Sequence, residues 1–137
     1  MPRRVELTRV YHFSAAHCLA HPGLSAAANA ALYGPCARPH GHNYYLEVTV
    51  AGVPDALTGF AVDLERLDRT VARSLLDQVD HHQLEDAPAL AGVITTGEGL
   101  AQAFWRTLSD VLPAGALQEV VVQETAKNRF AYRGEEA

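Results

Sequence analysis

Cysteine is scarce in this 137-residue chain: only Cys18 and Cys36 are present. Two are too few for a disulfide framework, so a reducing cytoplasm is the expected location. No apolar run approaches the roughly 20 residues that a bilayer-spanning helix needs, so no membrane partner is expected. The opening Met1-Pro2-Arg3-Arg4-Val5-Glu6 has none of the apolar stretch of a signal peptide, which argues against export. Basic excess is missing as well. Eleven Lys and Arg stand against sixteen Asp and Glu, a formal charge of −5, and this gives no reason to expect nucleic acid. Any bound phosphate must be met by a local basic cluster. Repeats, low-complexity tracts and long linkers are also absent, and the length suits one domain over 1–137 with a core of its own. What is abundant is histidine, seven residues in all.

Hydrophobic spacing lays out the elements. Val5, Leu7, Tyr11 and Phe13 share one parity and predict a strand over 5–13. The Ala-rich segment 18–35, bordered by Pro22, Gly23, Gly34 and Pro35, predicts a loop with a helical turn. A second strand is expected over 42–53, where Tyr44, Leu46, Val48 and Val50 lie on one face. Turn chemistry over 54–59 leads into a short extended piece at 60–62. Asp63 is a plausible N-cap, and Leu64, Leu67, Val71, Leu75 and Val79 then make one helical stripe. Thr95-Thr96-Gly97-Glu98 matches a capping box in which Thr95 and Glu98 satisfy each other's amides. The helix it opens runs through Leu100, Phe104 and Leu108 to Pro113 and Gly115. Strands over 117–125 and 129–133 close the chain. The order ββααββ predicts an α+β domain, a four-stranded antiparallel sheet with two helices on one face.

The strongest chemical signal is His40-Gly41-His42. In an extended chain, residues i and i+2 project to the same face, so both imidazoles can reach one ion. His17 sits just beyond the first predicted strand, near this pair if the two strands form a hairpin. Three neutral imidazoles leave a tetrahedral zinc one open position, as catalytic sites require. Cys36 offers the other reading, a fourth ligand that closes a structural site.

These residues resemble a known family. Phe13-Ser14-Ala15-Ala16-His17, then Tyr33-Gly34-Pro35-Cys36-Ala37-Arg38-Pro39-His40-Gly41-His42-Asn43-Tyr44, are similar to the 6-pyruvoyltetrahydropterin synthase and 6-carboxytetrahydropterin synthase family. The similarity continues at Val79-Asp80-His81-His82-Gln83-Leu84, Ile94-Thr95-Thr96-Gly97-Glu98, Val122-Gln123-Glu124-Thr125 and Tyr132-Arg133-Gly134-Glu135. The resemblance implies the tunnelling fold, a homo-oligomer built as a dimer of trimers, and active sites between subunits. It implies zinc held by His17, His40 and His42, a catalytic group of Cys36, Asp80 and His81, and Glu124 as the pterin anchor. Thr95, Thr96 and Glu98 match a segment that borders the pterin pocket. The implied substrate is the small molecule 7,8-dihydroneopterin triphosphate.

Each role has a physical rationale. A thiolate near zinc and an imidazolium is favoured at neutral pH, so Cys36 suits a base. Asp80 can orient His81 for proton transfer. Glu124 shares the parity of Val120 and Val122, and a buried carboxylate needs partners such as the pterin amino group and ring N–H. The plain alternatives are an Asp80–His81 pair that only stabilises a loop and a Glu124 paired with Arg129 or Arg133. The compact Cys-x-x-x-His-x-His spacing resembles that of the shorter bacterial 6-carboxytetrahydropterin synthases, and this resemblance implies a 6-carboxytetrahydropterin product, a queuosine precursor, with loss of triphosphate and acetaldehyde. The alternatives are a 6-pyruvoyltetrahydropterin product, a non-catalytic zinc-stabilised assembly module, and a pterin aldolase or epimerase on the same kind of barrel.

Overall fold

The computed structural model describes residues 3–135. Two long strands carry the fold, β1 (Val5–His17) and β2 (His40–Gly52), paired antiparallel along their whole length from Val5 opposite Gly52 to His17 opposite His40. Phe13, Ala15 and His17 on β1, with Tyr44, Leu46, Val48 and Val50 on β2, are buried. This is the alternation of a sheet with one face on a core. β1 therefore runs four residues past its expected end and carries His17 inside the strand.

The sheet order is β3-β1-β2-β4-β5, with β3 (His82–Gln83), β4 (Leu117–Thr125) and β5 (Asn128–Tyr132). Five strands replace the four expected. The extra one, β3, is two residues long and lies parallel to Ala15 and Ala16 of β1. So short a strand leaves no alternation for sequence reading to detect. Conversely, 60–62 forms no strand. The Ala-rich segment holds a helix, α1 (Ala26–Tyr33), capped by the Ser25 hydroxyl, which accepts from the Ala28 amide at 3.1 Å.

Helix α2 starts at Leu64–Val71, widens into a π turn over Ala72–Leu76 and ends in Asp77–Val79. Asp63 caps it as expected, accepting from the Arg66 amide at 3.1 Å. Its buried residues Leu67, Val71, Leu75 and Val79 recur every fourth position. In an unbroken α-helix that spacing drifts by about 40° per step. The wide turn slows the rotation and holds the stripe on the core. Helix α3 (Gly97–Val111) buries Leu100, Phe104 and Leu108. Its N-cap is Thr96, whose hydroxyl accepts from the Gly99 amide at 3.1 Å. The expected Thr95–Glu98 box does not form: the cap lies one residue later, where the reciprocating position is Gly99 and has no side chain, and Thr95 is free for another task. Among the described residues, no helix is long and apolar enough to cross a membrane.

Candidate metal centre and surrounding site

The hairpin of β1 and β2 brings the three sequence-predicted histidines together. His17 ends β1 and faces His40 at the start of β2, while His42 lies opposite Ala15. Ring centroids are 4.5 Å apart for His17 and His40, 5.1 Å for His17 and His42, and 5.0 Å for His40 and His42. One nitrogen from each ring lies within 4.8 Å of the other two. The converging set contains no thiol. His17 is buried and the other two are half-buried.

The far nitrogens of two rings are already engaged. His17 Nδ1 lies 3.0 Å from the Thr95 carbonyl oxygen, and His40 Nδ1 lies 2.8 Å from that of Arg38. A carbonyl only accepts, so each Nδ1 carries a proton and each Nε2 is the ring atom left to face an ion. Burial, then the neighbouring His40, pushes the His17 pKa below its usual value, which keeps this ring neutral. Imidazoles with their outer N–H fixed by carbonyls are the donor set and outer shell that zinc sites use. The residues fit the ion.

Asp80 and His81 sit at the end of α2, against β1. The Ser14 amide donates to Asp80 Oδ1 at 3.0 Å and holds its carboxyl below the usual range, with the charge of His81 adding to the effect. His81 Nδ1 lies 3.0 Å from Asp80 Oδ1, and the His81 amide donates to the Ser14 carbonyl at 2.6 Å. His81 has φ 60° and, among the described residues, is the one non-glycine in the left-handed region. Such a conformation costs of order 1 kcal/mol or more and clusters at functional sites. It leaves the ring exposed, at the rim of an open cavity of about 570 Å³ whose walls include Ser14, Gly41, His42, Asn43, His81 and Gln83. Of the aspartate–histidine pair only His81 lines this cavity, and of the three clustered histidines only His42. Gly41 lines it, and a Cβ there would press on the Ala15 carbonyl at 3.3 Å.

The remaining predicted residues are spread around this centre. Cys36 is exposed on a short 3-10 turn, Gly34–Ala37. Its carbonyl accepts from the Leu19 amide at 2.7 Å, tethering the turn two residues beyond His17; the thiol does not line the cavity. Glu124 is half-buried on β4 with the parity of Val120 and Val122, and its charge contributes to raising the pKa of buried Tyr44, an effect led by burial itself. Arg129 pairs with Glu47 and Arg133 with Glu119, so neither takes the role of Glu124's partner. Glu98 is exposed in the first turn of α3.

One residue escaped the sequence reading. Glu85 Oε2 accepts from the Thr95 hydroxyl at 2.8 Å, while Oε1 accepts from the Cys18 amide at 2.8 Å and the Gln83 side chain at 2.6 Å. Its only signal is its place just after the Asp80–Leu84 segment, and a lone glutamate in a loop carries no periodicity.

Fold and site together define a class, the α+β tunnelling-fold proteins with a three-histidine group able to hold a metal ion. A family model described as 6-pyruvoyl tetrahydropterin synthase matches residues 6–135, and the chain belongs to that family of lyase-type enzymes. The 6-pyruvoyl tetrahydrobiopterin synthase of Poecilia reticulata is 41% identical over 132 residues, covering 94% of this chain and 90% of that protein. The Homo sapiens protein of the same name is 38% identical over 135 residues, covering 96% and 93%. Among solved structures, the Caenorhabditis elegans 6-pyruvoyl tetrahydropterin synthase superposes with a TM-score of 0.89 at 35% identity, covering 98% of each chain.

Proposed function

We propose that this chain is a zinc-dependent lyase that converts 7,8-dihydroneopterin triphosphate into 6-pyruvoyltetrahydropterin with release of triphosphate. The observation that carries the reading is the convergence of one nitrogen from each of three imidazole rings within 4.8 Å. The names of the relatives, at 38–41% identity over nearly the whole chain, favour this product. They give no support to the 6-carboxy product and queuosine role that the Cys36–His40 spacing suggested. A spacer length reports on one loop; identity along the whole chain samples the entire pocket.

His17, His40 and His42 would hold the zinc, which supplies Lewis-acid charge that makes side-chain hydroxyls of the substrate more acidic. Cys36, on its tethered turn beside that centre, is the base that takes a proton from a side-chain carbon. Asp80 fixes the His81 ring and stabilises its charged form, so that His81 carries protons to and from the substrate oxygens. Proton removal at the side-chain carbon next to the ring sends its electron pair into the ring C=N bond, whose nitrogen takes a proton. The ring is thereby reduced as that carbinol carbon becomes a carbonyl. Proton removal at the next carbon then expels triphosphate, which departs with the electron pair of its carbon–oxygen bond. The enol left behind becomes the second carbonyl. Glu124 anchors the pterin through its amino group and ring N–H, with 95–98 bordering the same pocket. The cavity is open in a single chain. Closure by neighbouring subunits in a dimer of trimers is part of this proposal, as is a cytoplasmic location.

Incubation of the zinc-loaded protein with 7,8-dihydroneopterin triphosphate, followed by mass spectrometry, tests the reading. The expected products are 6-pyruvoyltetrahydropterin and triphosphate. Acetaldehyde with 6-carboxytetrahydropterin would restore the other product, and no turnover at full zinc occupancy would remove the lyase assignment.

A further inference from the structure

We propose that Glu85 is a positioning residue for the metal ligand His17 and acts through Thr95; this rests on reading the three histidines as a metal site. Two oxygens face His17 Nδ1, the Thr95 carbonyl at 3.0 Å and the Thr95 hydroxyl at 3.3 Å. The carbonyl accepts only. The hydroxyl, being donor and acceptor at once, could turn its proton toward the ring and compete for the Nδ1 lone pair, stabilising the tautomer with its proton on the metal-facing nitrogen. Glu85 removes that option. Its Oε2 takes the Thr95 hydroxyl proton at 2.8 Å, so the hydroxyl presents only lone pairs to His17. Both contacts of Nδ1 then demand an N–H, and Nε2 keeps the lone pair, toward which the Tyr44 hydroxyl lies 3.4 Å away until an ion takes it.

The same carboxylate fixes the backbone beyond the ligand. Oε1 accepts from the Cys18 amide at 2.8 Å, the residue after His17, where β1 has already left the sheet. Gln83 Nε2 donates to this oxygen at 2.6 Å and holds the carboxylate in place. Glu85 is thus bonded on one oxygen to the chain that carries His17 and on the other to the group that sets its tautomer. Metal-site histidines commonly hand their outer N–H straight to a carboxylate. In this chain a hydroxyl is interposed, so the negative charge stays in solvent while its orienting effect reaches a buried ring.

The test measures zinc affinity by chelator competition, and the visible absorption of the cobalt-substituted protein, for wild type, Glu85→Gln, Thr95→Val and the double variant. Loss of an outer-shell partner typically weakens metal binding about 10- to 100-fold. Each single variant should fall in that range and shift the cobalt bands alike. The double variant should be no weaker than the poorer single one, because both changes break one relay. A purely structural Glu85 would lower the melting temperature of the metal-free protein and leave the cobalt spectrum unmoved. That result overturns the proposal, as do effects that multiply in the double variant or a Glu85→Gln affinity within about twofold of wild type. Thr95→Val, which deletes one hydroxyl at near-constant shape, keeps the test alive if Glu85→Gln folds poorly. A wild-type protein that binds neither zinc nor cobalt would instead refute the metal-site reading itself.

Discussion

Cys36 and the three histidines occupy different local environments, and that separation makes their roles distinguishable. The thiol is exposed on a turn and lies outside the converging ring nitrogens. Cys36→Ala should therefore keep zinc affinity within about twofold while lowering turnover by about 10²- to 10⁴-fold, the range of a lost proton-transfer group. Loss of zinc with the thiol would make Cys36 a ligand and revive the structural-site alternative. Asp68 supplies a second prediction at this scale. Arg9 and Tyr11 donate to its carboxylate and, with Arg9 the larger influence, lower its pKa. A carboxyl whose folded pKa is depressed adds stability above its unfolded value, about 3.9, and loses that contribution as pH falls through the folded value. The stability gap between wild type and Asp68→Asn should be constant above about pH 5 and narrow below pH 4. Urea unfolding from pH 3 to 7 measures it; a gap that stays constant down to pH 3 would refute the linkage.

Among the elements, α3 is placed by its first turn. Thr96 caps it, and Gly97 lets the ring of Phe130 on β5 lie against its backbone. A Cβ on Gly97 would stand 2.0 Å from Phe130 Cδ2, an impossible contact. Gly→Ala inside a helix ordinarily gains about 1 kcal/mol. At this position the clash wins, and Gly97→Ala should cost about 1–3 kcal/mol by overpacking. In a Phe130→Ala background the same change should become neutral or favourable, since the obstacle is gone. Thermal melts of the four proteins decide it, and an unchanged penalty without the ring would place the cost elsewhere. The helical stripe of α2 and the Asp63 cap were legible because apolar period and capping chemistry are local. The wide turn over Ala72–Leu76 was not read from the stripe and came only with the structure. The cap of α3 was misread by one residue because two threonines stand side by side. Only the three-dimensional neighbourhood, with Glu85 beside Thr95, shows which of them turns away from the helix.

Across the whole molecule, the core and the three-histidine group are adjacent but distinct. Phe13, Leu46, Val48, Phe104 and Leu108 are buried in one apolar cluster, whereas the histidines lie at the hairpin end of β1 and β2. Chelation should abolish turnover while far-ultraviolet circular dichroism and a cooperative melt persist. A structural zinc site would unfold on losing its ion. A chelated chain that loses its sheet signal would contradict the proposed division.

By itself the sequence determined the sheet-and-helix pattern, the parity of the core and the identity of the three imidazoles. Each of these depends on a short repeat or on the projection of neighbouring side chains from an extended strand. Only the tertiary structure decided that His17 meets His40 across a hairpin, that His82 and Gln83 add a fifth strand, and that Glu85 reaches Thr95. Those contacts join residues far apart along the chain, and no local spacing encodes a distance that packing alone sets.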